Sequence, residues 1–220
     1  MKNTEQVALT LYDYHRSSAA YRVRIALNLK GFEYQSKEVN LLESEEFSAE
    51  YKAINPQGLV PALLIQESGK SDVVLTQSLA ICEYLQELRP EPSIMAESAF
   101  GRARIRSLAQ LISSDIHPLD NLRVLNYLED ELSVDKEAIM TWYQYWIKVG
   151  FEALERRLQE SDTGDYCHQD QVSLADICLV PQVYNAKRFG CDLSTYPKIV
   201  EISGRCNQHL AFVGAQPENM

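Results

Sequence analysis

Asn55-Pro-Gln-Gly-Leu-Val-Pro-Ala-Leu63 sets a proline near the start of an apolar strand, Leu59 to Ile65. Proline has no N–H to give to a ladder, so it belongs at a sheet edge, a strand start or a cis bond. A cis Val60–Pro61 would turn the Val60 N–H and C=O away from the sheet. They could then pair with an extended, peptide-like ligand, as an added strand would. An ordinary turn proline is the plainer alternative. Outward from this stretch, strand and helix signals alternate. Val7 to Tyr12 reads as a strand, and Ala19 to Lys30 as a helix stopped by Gly31. Tyr34 to Val39 reads as a second strand and Ser44 to Ile54 as an acidic, partly exposed helix. After Leu59 to Ile65 come a turn at Glu67 to Lys70, a partner strand at Val73 to Leu75, and an amphipathic helix from Ser78 to Leu88. The order is βαβαββα.

Arg89-Pro-Glu-Pro-Ser93 breaks this pattern, because two prolines with a charge between them make a stiff, solvated linker. Beyond it the strand signals vanish. Helical stretches follow at Ala99 to Asp130, Lys136 to Gln159, Ser173 to Arg188 and Tyr196 to Leu210. The expected division is an α/β domain over 1–88, a linker over 89–93 and an all-α domain over 94–220.

Composition narrows the function. The chain has 220 residues, 45% hydrophobic and 24% charged, as in a globular protein that buries a sizeable core. Its longest uncharged run, Ile54 to Gln66, is 13 residues and too short to span a membrane. A formal charge of -10 argues against general nucleic-acid binding. Five cysteines with no C-x-x-C pair fit free thiols in a reducing compartment, and no metal site is expected. The opening residues 1–6 lack the apolar core of a signal peptide, so a cytoplasmic location is expected.

Two further segments carry chemistry. In Ser17-Ser-Ala-Ala-Tyr-Arg-Val-Arg-Ile-Ala-Leu27, hydroxyls stand just before a helix, where they cap it or donate to an anion held near its positive end. In Leu75-Thr-Gln-Ser-Leu-Ala-Ile81, Gln77 and Ser78 stand at another helix start, suited to a carboxylate or to capping.

Together these segments resemble the cytosolic glutathione transferases, and the Ser17 to Leu27 run resembles the zeta class, which includes the maleylacetoacetate isomerases. Further matches are Asp115-Ile-His-Pro-Leu-Asp-Asn-Leu122 and Ser173-Leu-Ala-Asp-Ile-Cys-Leu-Val-Pro-Gln-Val183, the latter holding a capping-box variant whose role is folding. The resemblance implies a thioredoxin-like glutathione-binding domain followed by an all-helical domain. Where many members have a cysteine, this chain has Ala19, so the thiol must come from glutathione. Ser17, assisted by Ser18, is the implied catalytic hydroxyl. The implied glutathione set is Ser17, Ser18, Ala19, Ala20, Tyr21, Arg22, Val60, Pro61, Gln77 and Ser78, with His117, Asn121, Leu122 and Arg123 at its edge. Arg16, Arg123 and Arg188 match carboxylate-binding arginines, and a small dicarboxylate is the implied substrate.

The implied reaction is cis–trans isomerisation of maleylacetoacetate to fumarylacetoacetate in tyrosine and phenylalanine catabolism, by a homodimer. Maleylpyruvate isomerase and zeta-type transfer to small α-halo acids remain open. So does a non-catalytic, transferase-like interaction protein.

Overall fold

The computed structural model describes residues 7–220, so the reading of residues 1–6 lies outside the described residues. Strand β1 (Val7–Asp13) buries Leu9 and Leu11 and leads into helix α1 (Ser18–Leu29). Strands β2 (Gln35–Glu38), β3 (Ala62–Glu67) and β4 (Val73–Thr76) complete a mixed sheet in the order β2-β1-β3-β4. β1 runs parallel to β2, with Thr10 opposite Gln35, which requires α1 as the crossover. It runs antiparallel to β3, with Tyr12 opposite Ala62, and β3 is antiparallel to β4. All four residues of the edge strand β2 are exposed and polar, which discourages further pairing.

The expected helix over Ser44 to Ile54 is shorter than read. Residues 41–47 form two 3₁₀ turns hinged at Ser44, whose φ of 56° is left-handed, and only α2 (Ala49–Ile54) is helical. Ser48 caps α2 by accepting from Tyr51 N at 3.1 Å. The strand expected from Leu59 begins at Ala62, because Pro61 brings no donor to the ladder. Helix α3 (Ser78–Leu88) follows β4 and packs on α1.

α1 is buried along nearly its whole length, from Ala20 to Leu27. Two cations anchor it. Arg24 Nη1 bonds both oxygens of Asp13, at 2.7 and 2.9 Å, while Nη2 donates to His15 O and Nε to Ala215 O. Lys30 Nζ donates to Gln86 Oε1 and to the Pro90 and Pro92 carbonyls, holding the proline-rich segment to the helix end.

The chain divides into two compact units. The first runs to Pro92 and takes in Leu210–Met220; the second is Ser93–His209. The helical domain read as 94–220 is therefore corrected at its end. The Arg24 bond to Ala215 O, and that of Asn28 Nδ2 to Ala211 O at 3.1 Å, tie the last residues to α1.

In the second unit the long helix expected over Ala99 to Asp130 is interrupted. Helix α4 (Ala99–Gln110) passes into a π-helical segment, Leu111–Ile116, and α5 (Leu122–Asp130) starts afresh. Pro118 lacks the N–H a continuing helix needs, and Asn121 recaps by accepting from Arg123 N. Helix α6 (Lys136–Leu158) meets the π segment closely. A Cβ at Gly150 would lie 2.2 Å from Ile116 Cγ1, so only glycine admits this approach. Helix α7 (Leu174–Arg188) is the core of the unit, buried continuously from Leu174 to Val183. Asp176, at its start, accepts from Ser173 N, Ser173 Oγ and Cys167 N. Buried Glu155 caps α8 (Pro197–Cys206), accepting from Lys198 N and Ile199 N at 3.0 Å each. The short α9 (Leu210–Val213) belongs to the first unit and packs on α1.

Candidate functional site

Ser17 is the N-cap of α1, and its Oγ accepts from Ala20 N at 3.2 Å. Capping uses the oxygen as acceptor and leaves the hydroxyl proton to donate elsewhere. The cap and the donor are therefore compatible roles. Ser18 behind it is buried, Ala19 is half-buried, Ala20 and Tyr21 lie in the core, and Arg16 is exposed in the preceding turn.

The Val60–Pro61 bond is cis. Val60 stands outside the ladder, whose register with β1 ends at Ala62. The approach to it is fixed from below. Tyr51 Oη and Asn55 Nδ2 both donate to Leu59 O, at 2.7 and 2.6 Å, and Asn55 Oδ1 accepts from Gln57 N. Burial pushes the Tyr51 hydroxyl up to about 12, so it remains a donor. Gly58 has a left-handed φ of 61°, and a Cβ there would lie 2.9 Å from Glu46 O. Tyr51, Asn55 and Gly58 fix the backbone that leads into Val60.

Gln77, just before α3, holds φ at +70°, a costly conformation for a residue with a side chain. Its exposed amide donates to Gln57 Oε1 at 3.0 Å. Ser78 next to it is buried and accepts from Arg22 Nη1 at 3.3 Å. Arg22 is only 1% exposed, yet among the described residues its Nε and Nη2 have no hydrogen-bond partner. A buried guanidinium with two idle donors, beside the positive end of α3, has the chemistry to receive an anion.

The second unit carries the remaining expected residues in two places. His117 lies just after the π segment, Asn121 caps α5, and Leu122 and Arg123 are its exposed first residues. Arg188 is exposed in the last turn of α7, its guanidinium 5.2 Å from the Phe189 ring centre.

Residues 7–87 match the glutathione S-transferase N-terminal domain. A probable maleylacetoacetate isomerase of Vibrio cholerae is 46% identical over 215 residues, 97% of each chain. The chain belongs to the zeta-class glutathione S-transferase family. A holo maleylpyruvate isomerase, described as a bacterial zeta-class transferase, superposes with a TM-score of 0.90 at 42% identity, over 96% of this chain and 98% of that one. A maleylacetoacetate isomerase from Anaeromyxobacter dehalogenans, solved with dicarboxyethyl glutathione and citrate in its active site, gives a TM-score of 0.88 at 38% identity. It covers 98% of this chain and 97% of that one.

Membership accounts for the serine, Val-Pro and Gln-Ser segments but leaves some residues unannounced by the sequence. Tyr51 carried no motif of its own, and Gln57 was quoted within the Asn55 to Leu63 stretch without a role; only the partner of each side chain reveals its part. Asp120 lay inside a quoted segment, and its burial, unlike its identity, is a tertiary fact.

Proposed function

We propose that this protein is a glutathione-dependent isomerase converting maleylacetoacetate to fumarylacetoacetate in phenylalanine and tyrosine catabolism, acting in the cytoplasm as a homodimer. The observation that carries the reading is Arg22. An isolated buried cation is costly unless an anion joins it, and glutathione brings a carboxylate at its γ-glutamyl end. The residues fit the tripeptide in kind: Arg22 and Ser78 toward that carboxylate, Gln77 toward the same end, and the Val60 backbone toward the cysteinyl peptide group.

Bound glutathione supplies the thiolate that adds to the conjugated double bond, permits rotation and leaves again. Ser17 donates its hydroxyl proton toward the sulfur, at a helix start where the dipole favours negative charge. Ser18 through Tyr21 shape the floor beneath it, and Pro61 fixes the turn that presents Val60. His117, Asn121, Leu122 and Arg123 are assigned to glutathione on the family resemblance. Arg16, Arg123 and Arg188 are assigned to the substrate carboxylates. In a chain of net charge -10, such arginines locally reverse a field that opposes a dianion.

A second reading, maleylpyruvate isomerisation, is favoured by the 42% identity to an isomerase named for that substrate. Turnover of both acids side by side at fixed glutathione tests the choice. We expect the higher kcat/KM for maleylacetoacetate, and the reverse ratio moves the protein to the second reading. Ser17→Ala should lose about tenfold to 100-fold in turnover, matching ~1–3 kcal/mol for a charge-assisted hydrogen bond, with Ser18→Ala losing far less. No heat of glutathione binding in calorimetry would instead favour a non-catalytic interaction protein. Light scattering that finds only the monomer mass rejects the homodimer.

A further inference from the structure

Helix α1 is tied to a segment far from it in the chain. Leu210–Met220 folds back on the first unit, with Phe212 and Ala215 fully buried. The segment is firm in itself. Gly214 N donates to Leu210 O at 2.9 Å, and Gln216 N and Asn219 Nδ2 donate to Val213 O at 3.2 and 2.7 Å. It meets α1 through two carbonyls: Ala211 O accepts from Asn28 Nδ2, and Ala215 O accepts from Arg24 Nε at 3.0 Å.

Arg24 carries the second contact onward. Its guanidinium is inaccessible and lies 5.2 Å from the Tyr21 ring centre. Nη1 is held by both oxygens of Asp13, the last residue of β1, and Nη2 donates to His15 O at 2.9 Å. His15 belongs to the turn that joins β1 to α1, Tyr14-His15-Arg16-Ser17, closed by Ser17 N donating to Tyr14 O at 2.8 Å. One planar group therefore joins the strand end, the turn that delivers the capping serine, and the 210–220 segment. The plane makes these contacts interdependent, because a guanidinium holds its donors in a fixed fork. A buried donor that loses its acceptor is costly and must move to find another. With Asp13 gripping Nη1, the group pivots about that end, and Nη2 leaves His15 O when Nε leaves Ala215 O.

We propose that the Leu210–Met220 segment is a working part of the thiol site: through Arg24 it holds the 14–17 turn in the pose that aims the Ser17 hydroxyl at the glutathione sulfur. Arg24, Asn28 and Phe212 are positioning residues, acting through Ser17 rather than on the ligand. The chemical consequence rests on the glutathione-isomerase reading, whereas the brace is a property of the unliganded first unit. Stabilisation of a thiolate by one hydroxyl at a helix start depends on distance and angle. A displaced turn therefore shows as a raised thiol pKa and a slower step, not as a lost ligand. The Val60 and Gln77–Ser78 contacts lie on other segments and stay in place.

The thiolate ultraviolet absorbance of bound glutathione, titrated with pH, reads this directly. Phe212→Ala unseats the segment, Asn28→Ala removes one carbonyl contact, and Arg24→Lys keeps a charge beside Asp13 but lacks the fork. Phe212→Ala and Arg24→Lys should raise the bound thiol's pKa enough to leave about tenfold less thiolate below it. Turnover near neutral pH should fall about tenfold and recover as pH passes the raised value, with KM for glutathione changed less than about threefold. Asn28→Ala should shift the same way by less, and it keeps the test open if Phe212→Ala fails to fold. The double variant Arg24→Lys/Phe212→Ala should match Arg24→Lys alone in thiol pKa, because the segment acts through that arginine. Additive shifts, an unchanged thiol pKa in Phe212→Ala and Asn28→Ala, or a loss carried by KM alone overturn the proposal. Hydrogen exchange over 14–20 without glutathione should quicken in Asn28→Ala and Phe212→Ala. Wild-type rates in both overturn the brace. A wild type that shows no thiolate band with glutathione, with exchange quickened in the variants, refutes the isomerase reading and leaves the brace standing.

Discussion

The two sides of α1 hold buried arginines that differ in one respect. Arg24, toward β1 and the C-terminal residues, spends its guanidinium on Asp13 and on two carbonyls. Arg22, toward α3, has one bond to Ser78 and two idle nitrogens. Both are essentially inaccessible, and both come from the same Arg-Val-Arg run. A cation answered by the fold is structural, while one left unanswered is the one we propose for a ligand. The carboxyls of the second unit repeat the contrast: Asp176 accepts from Ser173 N, Ser173 Oγ, Cys167 N and Cys206 Sγ, and Asp120 accepts from none of the described residues.

The contrast breaks most visibly if the structural member is removed. Arg24→Ala strands Asp13 as a buried charge and frees the last residues from α1. Loss of one partner of a buried pair costs ~3–5 kcal/mol. At about 2–4 °C per kcal/mol for a chain of this length, Tm should fall by about 6–20 °C. A variant melting within a degree or two of the wild type would show that the pair carries little of the fold.

Arg22→Met sharpens the same contrast from the other side. Replacing an uncompensated buried charge with an apolar residue of similar length is neutral or stabilising. The expected result is an unchanged or higher Tm with glutathione affinity down about tenfold to 150-fold, from ~1.5–3 kcal/mol per charged hydrogen bond. A large stability loss with affinity retained would make Arg22 structural after all.

Arg188→Ala extends the test to an exposed arginine. We expect KM for maleylacetoacetate to rise and kcat/KM to fall by about tenfold to 100-fold, with glutathione affinity almost unchanged. Raised salt should weaken the acid more than a neutral analogue. Equal losses for both would show that Arg188 acts on packing, through Phe189 and Tyr143.

Much of the first unit could be read from the sequence because its signals are local. A strand-forming run, a capping serine and a glycine stop placed β1 and α1 within a residue or so, whereas β3 starts at Ala62, three residues later than read. Boundaries failed where several weak signals compete. Ser44 takes a left-handed turn that nothing in an acidic helical pattern announces, and the π segment continues the helical periodicity that hides it. The grouping of Leu210–Met220 with the first unit depends on carbonyls accepting from Arg24 and Asn28, which no pattern of side chains encodes. The site divides the same way. Ser17, Val60, Gln77 and Ser78 stand in motifs, but whether Arg22 or Arg24 lacks a partner is visible only once both are folded.

The smallest expected effect tests the orphan carboxyl by stability alone. Asp120 has an ordinary value of 3.8 and is raised to about 8 in the folded chain, the cause being burial. Below pH 3.8 both folded and unfolded chains hold the proton, and the group makes no difference. From there to about pH 8 the unfolded chain releases a proton that the folded chain keeps. Stability is therefore lost as pH rises, and the loss is complete above about 8. Asp120→Asn has no proton to release. Its Tm should match the wild type near pH 4 and exceed it increasingly up to pH 8, then hold a constant margin. Paired melting curves at pH 4, 6, 8 and 9 give the result directly. A margin that is already present at pH 4 and does not grow would assign the gain to packing. A variant less stable than the wild type at pH 8 would mean that the carboxylate is compensated, and the contrast with Asp176 would fail.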